Sequence, residues 1–304
     1  VKFLDPVALS RLGTMALKAR TVVEGALSGL HRSPHHGSSV EFAEHKEYSP
    51  GDEIRHIDWK AYGKFDRYYV KRFEQETELT CYLLLDRSGS MAYRGDGLTK
   101  LEYAAYVCAS LAYLLNRQQD RVALIGFGDG ELDYVPPRQR ANHLHDLLAA
   151  IEAIVAAGGR GATSMAPALE RVSELAQRRR SLVVLVSDLF DPSAEATTLL
   201  RRLRAQHHDV AVIQVLDRDE LELPFEGITL FESLEDERRL LADPRAIRGA
   251  YLRELEAFLA RTRAALAEGD VEHLLVATAQ PLERTLLDLL TGRARRRRTQ
   301  AGLQ

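Results

Sequence analysis

Two cysteines in 304 residues are too sparse for a disulfide scaffold or a zinc site, and both, Cys81 and Cys108, lie inside apolar segments where a reduced core thiol belongs. No apolar run reaches the ~18 to 20 residues that a bilayer requires. The longest, Ala104 to Leu115, is interrupted by Ser110 and reads as a buried helix. The N-terminal residues Val1-Lys2-Phe3-Leu4-Asp5-Pro6 lack a basic start followed by an apolar block and a small-residue cleavage site, so no signal peptide is expected and the expected location is cytoplasmic. Charge of one sign is lacking too: Lys+Arg 41 against Asp+Glu 44 leaves net −3, with no global field to draw in nucleic acid or an anionic membrane. What is present is an ordinary soluble composition, 45% hydrophobic and 28% charged, which excludes a wholly disordered or fibrous chain. The length is about twice a usual ~150-residue domain, so one enlarged domain or two small ones are expected.

The first eighty residues give mixed signals: an amphipathic helix from about Pro6 to Arg20, a Gly/Ser/His-rich stretch from Gly29 to Ser39, then a polar segment dense in aromatics and charge. From Thr80 the pattern changes. Cys81-Tyr82-Leu83-Leu84-Leu85 is an apolar run ended by Asp86, the mark of a strand buried on both faces. Leu101, Ala104, Ala105, Cys108, Leu111, Ala112 and Leu115 then recur at helical spacing. Further strands are read at Val122 to Phe127, Leu182 to Val186 and Val210 to Leu216, with an edge hairpin through Asp129-Gly130 and helices near Ala141 to Ala156, Ala166 to Arg178 and Ser193 to Ala205. Buried strands alternating with helices call for a doubly wound α/β domain, a mostly parallel sheet with helices on both faces. Beyond Asp217 the signal weakens to a β-like piece near Gly227 to Phe231, a helix from Pro244 to Ala267, a strand at His273 to Ala277 and a helix from Pro281 to Leu290. The expected division is an N-terminal extension 1–79, an α/β domain 80–217, an α-rich extension 218–292 and a tail 293–304. The tail carries Arg293-Ala294-Arg295-Arg296-Arg297-Arg298 without periodicity and is expected to be disordered and solvated.

Ligands of open α/β sheets bind outside the carboxyl ends of the strands. Three loops there carry chemistry. Asp86-Arg87-Ser88-Gly89-Ser90-Met91 sets a carboxylate and two hydroxyls at alternate positions, Gly158-Gly159-Arg160-Gly161-Ala162-Thr163-Ser164 leads a hydroxyl into a helix, and Ser187-Asp188 ends a later strand. The donors are all hard oxygens with no imidazole or thiolate, a set that suits Mg²⁺ or Mn²⁺ rather than zinc. Such a cation keeps exchangeable positions, so it can accept a carboxylate from another molecule.

Asp-x-Ser-x-Ser at one strand end, Thr in a glycine loop and Asp at a later strand end resemble the metal-ion-dependent adhesion site of von Willebrand factor A domains, over about Thr80 to Leu216. The resemblance implies a von Willebrand factor A-like fold with Asp86, Ser88, Ser90, Thr163 and Asp188 as metal ligands. A second resemblance lies upstream. Tyr48, Pro50-Gly51-Asp52, Arg55, Ile57-Asp58-Trp59, Lys71 and Phe73-Glu74 are similar to the signature of the domain of unknown function family 58. Within it Ser49-Pro50-Gly51-Asp52 reads as a turn and Tyr68 to Phe73 as an edge strand feeding the first buried one. That family's members carry such a domain and are often encoded beside MoxR-type AAA+ ATPases, which implies an adaptor or co-chaperone role. Many relatives carry N-terminal membrane spans, and this chain resembles the short soluble branch.

The expected function is therefore a non-enzymatic, metal-dependent protein-interaction module. Its partner would be a MoxR-type AAA+ ATPase or that enzyme's substrate, engaged through an Asp or Glu side chain. The competing reading is a metal-dependent phosphatase or hydrolase using Asp86. It wants a second acid where Ser88 stands, and there is neither a Gly-x-Ser-x-Gly elbow nor a P-loop Lys after Gly158. Arg55, Asp58, Lys60 and Arg67 suit either a polar partner surface or an ion-pair network tying the N-terminal segment to the sheet. His31, His35, His36, His45 and His56 lack zinc-site spacing, and neither they nor the Arg tail is expected to carry a specific metal or nucleic-acid site.

Overall fold

The structure is a computed structural model that describes residues 15, 17–24, 26, 45–47, 69–71, 79–140, 142–177, 179–190 and 194–301. Contacts between Cα atoms divide the chain into two units, one of residues 1–32 with 79–304 and the other of residues 33–78. The expected extension 1–79 thus falls into two parts. In the smaller unit, β1 (His45–Glu47) and β2 (Tyr69–Lys71) pair antiparallel, Lys46 opposite Val70. Of the strand expected at Tyr68 to Phe73, the described residues Tyr69–Lys71 form a two-stranded ribbon with β1, and the others lie outside the described residues. The remaining signature residues, with His31, His35, His36, His56, Lys60 and Arg67, lie outside the described residues.

In the larger unit a six-stranded sheet runs in the order β10-β7-β6-β3-β4-β5. Its strands are β3 (Thr80–Asp86), β4 (Arg121–Gly128), β5 (Glu131–Arg138), β6 (Ser181–Ser187), β7 (Asp209–Leu216) and β10 (Glu272–Ala277). β5 alone runs antiparallel, joined to β4 by the expected hairpin turn. Sequence explains the layout directly. β3 and β6 are buried at every residue, as strands covered on both faces must be.

Alternate side chains of one strand feed opposite cores. Cys81, Leu83 and Leu85 join the apolar faces of α2 (Lys100–Arg117) and α3 (His143–Ala157). Tyr82 and Leu84 meet α4 (Ala166–Leu175) and α5 (Ala194–Ala205) on the other side. The first helical stretch, α1 (residues 17–24), adds Ala19, Val22 and Val23 to the α2 side, and Lys18 Nζ donates to Tyr106 Oη at 2.7 Å. The doubly wound α/β class expected from the sequence is the class observed.

The C-terminal third departs from expectation in two ways. β10 pairs in parallel with β7 along its full length, so residues beyond 217, outside the expected α/β domain 80–217, complete the sheet. A short capped helix α6 (Arg218–Glu222), a hairpin β8 (Thr229–Glu232) with β9 (Arg239–Ala242), and α7 (Pro244–Glu268) intervene. The last helix, α8 (Leu282–Ala301), runs through the arginine run that was expected to be disordered. The physical reason is propagation. Leu286 and Leu289 anchor the upstream turns in the core, and arginine is a good helix former that needs no apolar period to extend them. Among the described residues no helix is long and apolar enough to cross a membrane.

Candidate functional site

β3 is flanked by β4 on one side and β6 on the other, so the chain reverses its direction of winding there and a crevice opens beyond the carboxyl ends. Asp86 closes β3 and is fully buried. Its Oδ1 accepts from the Ser88 amide at 2.8 Å and its Oδ2 from the Ser187 hydroxyl at 2.5 Å. The Ser88 and Ser90 hydroxyls lie 3.2 Å apart, Ser88 buried and Ser90 half-buried on a short 3-10 turn, Gly89–Ala92. The strand end thus folds back on its own carboxylate and turns two hydroxyls to one side.

Backbone hydrogen bonds stitch the glycine loop onto this turn. Gly89 donates to the Gly161 carbonyl at 2.8 Å and Arg160 to the Arg87 carbonyl at 2.9 Å. Gly161 has φ +65°, a left-handed conformation that glycine adopts without cost. Thr163, half-buried just beyond it, donates its hydroxyl to Glu235 Oε1 at 3.0 Å.

The third loop joins through β6. Asp188 is fully buried, its Oδ1 accepting from the Phe190 amide at 3.2 Å and its backbone carbonyl from Gln214 Nε2 at 2.9 Å. Its Oδ2 takes the Lys100 ammonium at 2.8 Å, and the same ammonium reaches Glu220 Oε1 at 2.6 Å. Lys100 has no exposed side-chain surface and stands at the first turn of α2, where both burial and the helix dipole disfavour a cation. Burial pulls its pKa down, but the charges of Asp188 and Glu220 outweigh that and leave it raised, so the ammonium is retained. Two capping boxes aim the partners. Thr99 and Glu102 fix the start of α2, while Asp217 and Glu220 fix α6, leaving the second Glu220 oxygen free for Lys100.

Electrostatically the carboxylates differ. Burial, then the nearby Asp188 charge, pushes Asp86 up to about 7, although hydrogen bonds from Ser187 and Ser88 pull it back. Both hydrogen-bond donors to Asp86 are uncharged, whereas Asp188 has its lysine. Among the described residues no three or more His, Cys, Asp and Glu side chains gather as a metal-ligating cluster. Any ion at this crevice would draw on hydroxyls as well as carboxylates. Beside Ser90 a cavity of about 480 Å³ opens, lined by Tyr93, Phe190, Phe225, Phe231, Tyr251 and Glu235.

The three expected loops therefore converge, with Asp86, Ser88 and Ser90 in one turn, Thr163 on a loop bonded to it, and Asp188 acting on Asp86 through its charge. Four contributors were missed. Ser187 had a signal, since it precedes Asp188 in the same strand end, whereas Lys100 meets Asp188 only across 88 residues. Glu220 and Glu235 had none, as they reach the site from 120 and 72 residues away.

The switch point at the end of β3 defines the class: a doubly wound α/β domain with carboxylate and hydroxyl oxygens at the carboxyl ends of its strands. The chain belongs to the family described as protein of unknown function DUF58, whose match spans residues 44–260. It is 29% identical over 236 residues to uncharacterized proteins of Mycobacterium tuberculosis and Mycobacterium bovis, covering 76% of this chain and 72% of each of them. Among solved structures it is similar to BatB from Bacteroides thetaiotaomicron, at 14% identity and TM-score 0.47, covering 71% of this chain and 99% of that one. It is also similar to an aerotolerance-related membrane protein from Bacteroides fragilis, at 17% identity and TM-score 0.48, covering 68% and 94%.

Proposed function

We propose that this chain is a metal-dependent protein-interaction module. Asp86, Ser88, Ser90, Thr163 and Asp188 would hold Mg²⁺ or Mn²⁺, and an Asp or Glu of a partner protein would complete the shell. The observation that carries this reading is the state of Asp86: a fully buried carboxylate, held by uncharged donors and within the electrostatic reach of the Asp188 charge. Such a group calls for positive charge, and the hydroxyls converging on it are hard donors that fit a small divalent cation. The cation would supply a Lewis-acid point for a carboxylate oxygen. Asp188 already gives one oxygen to Lys100, so its share would come through remaining lone pairs or through water.

The partner favoured by the family resemblance is a MoxR-type AAA+ ATPase or its substrate, with this chain as adaptor or co-chaperone. The hydrolase alternative fares worse, because the place its second acid would take is held by Ser88. The test is a pull-down from native lysate with wild type and Asp86→Ala, each in excess Mg²⁺ and in chelator. Retention of a protein by wild type with metal alone supports the module. Identical sets in all four lanes, or none, would refute it.

A further inference from the structure

We infer that Glu235 is an internal stand-in for the partner's carboxylate, carried by the chain itself and seated over the site until a partner displaces it; this rests on the metal-dependent reading above. The loop between β8 and β9 is braced within itself. Ser233 N donates to the Arg238 carbonyl at 2.9 Å, the Ser233 hydroxyl accepts from the Glu235 and Asp236 amides, and Asp236 takes both the amide and the guanidinium of Arg238. A loop so tied presents Glu235 from a fixed frame.

That frame rests on the site. The Leu234 carbonyl lies so close over Gly89 that a Cβ there would collide with it, so the residue between the two serines of the Asp-x-Ser-x-Ser turn has to be glycine for the loop to seat. One residue on, Glu235 Oε1 receives the Thr163 hydroxyl at 3.0 Å. The tip therefore touches both the first loop and the glycine loop, and it brings a half-buried carboxylate beside a hydroxyl assigned to the ion. A carboxylate at that place is the chemistry a partner would bring. A partner segment then competes with Glu235, and its apparent affinity is reduced by the fraction of molecules whose tip is seated.

The test uses the full chain, Mn²⁺ as the ion and glutarate as the carboxylate probe, read by Mn²⁺-enhanced water-proton relaxation. Wild type, Glu235→Ala, Glu235→Gln and Asp86→Ala are compared, with circular dichroism to verify folding. Both Glu235 variants should bind Mn²⁺ and take up glutarate about tenfold more tightly than wild type, the gain expected if the tip is seated roughly nine-tenths of the time. Equal glutarate uptake by wild type and both variants, including none by any, overturns the stand-in and leaves the ion site intact. Equal Mn²⁺ binding by wild type and Asp86→Ala instead overturns the metal-dependent reading on which it rests. The isosteric glutamine keeps the question open to refutation if the alanine variant misfolds.

Discussion

Replacing Lys100 by methionine is the sharpest test of the electrostatics described above. Met fills nearly the same space, so the change removes a charge without opening a large cavity. The ammonium lies 2.8 Å from Asp188 and 2.6 Å from Glu220, with side-chain exposures of 0% for Lys100 and Asp188 and 16% for Glu220. Deleting one member of a buried ion pair leaves its partner charged and unsolvated, which costs about 3–5 kcal/mol. For domains of 150–250 residues each kcal/mol lowers Tm by roughly 2–4 °C, so Lys100→Met should melt about 6–20 °C below wild type. Urea unfolding followed by circular dichroism gives the free energy independently. The double variant Lys100→Met/Asp188→Asn should recover a large part of the loss, because the carboxylate left stranded is then neutral. A loss under about 1 kcal/mol for the single variant, or no recovery in the double, would refute the claim that Lys100 is the buried counter-charge of Asp188.

Ser187→Ala deletes the 2.5 Å hydrogen bond to Asp86 and should destabilise the fold by about 1.5–3 kcal/mol, the range for hydrogen bonds to charged groups, measurable in the same urea titration. His208 is buried, its Nδ1 accepts from the Ser181 amide at 3.2 Å, and burial lowers its pKa below the ordinary 6.5. The unfolded chain therefore takes up a proton first on acidification. Its contribution to stability is whole above about pH 6.5 and declines as pH falls toward the folded value, a slope that His208→Asn should flatten in Tm measured against pH. Cys81 and Cys108 are both buried, and burial pushes the Cys108 thiol far up, so neither should react with a thiol reagent until the protein is unfolded in denaturant. Rapid labelling of the native protein would contradict that placement.

The sheet was legible because strands covered on both faces are mostly apolar, and β3 and β6 are so between their terminal residues and β7 is so but for Asp209 and Gln214. Asp86, Ser88 and Ser90 were legible because one tight turn holds them and the turn follows such a strand. Lys100, Glu220 and Glu235 were not, since their roles arise from contacts across 88, 120 and 72 residues that no local pattern encodes. The end of α8 was misjudged for a different reason. Apolar periodicity signals a helix only where one face is apolar, and the arginine run has no apolar face in its sequence.

The placement of β10 bears on how the protein can be divided. A fragment stopped at residue 217 would retain every oxygen proposed for the ion and still bare the hydrogen-bonding edge of β7 that β10 covers from Ala211 to Leu216. An unpaired strand edge of that kind is a template for pairing with other copies. The smallest useful piece of the larger unit must therefore run past Ala277 and include α8, whose Leu286 and Leu289 close the core on the α2 side. Such a piece also keeps the hairpin that carries Glu235, so the proposed ion site and the loop that bonds Thr163 would be purified together.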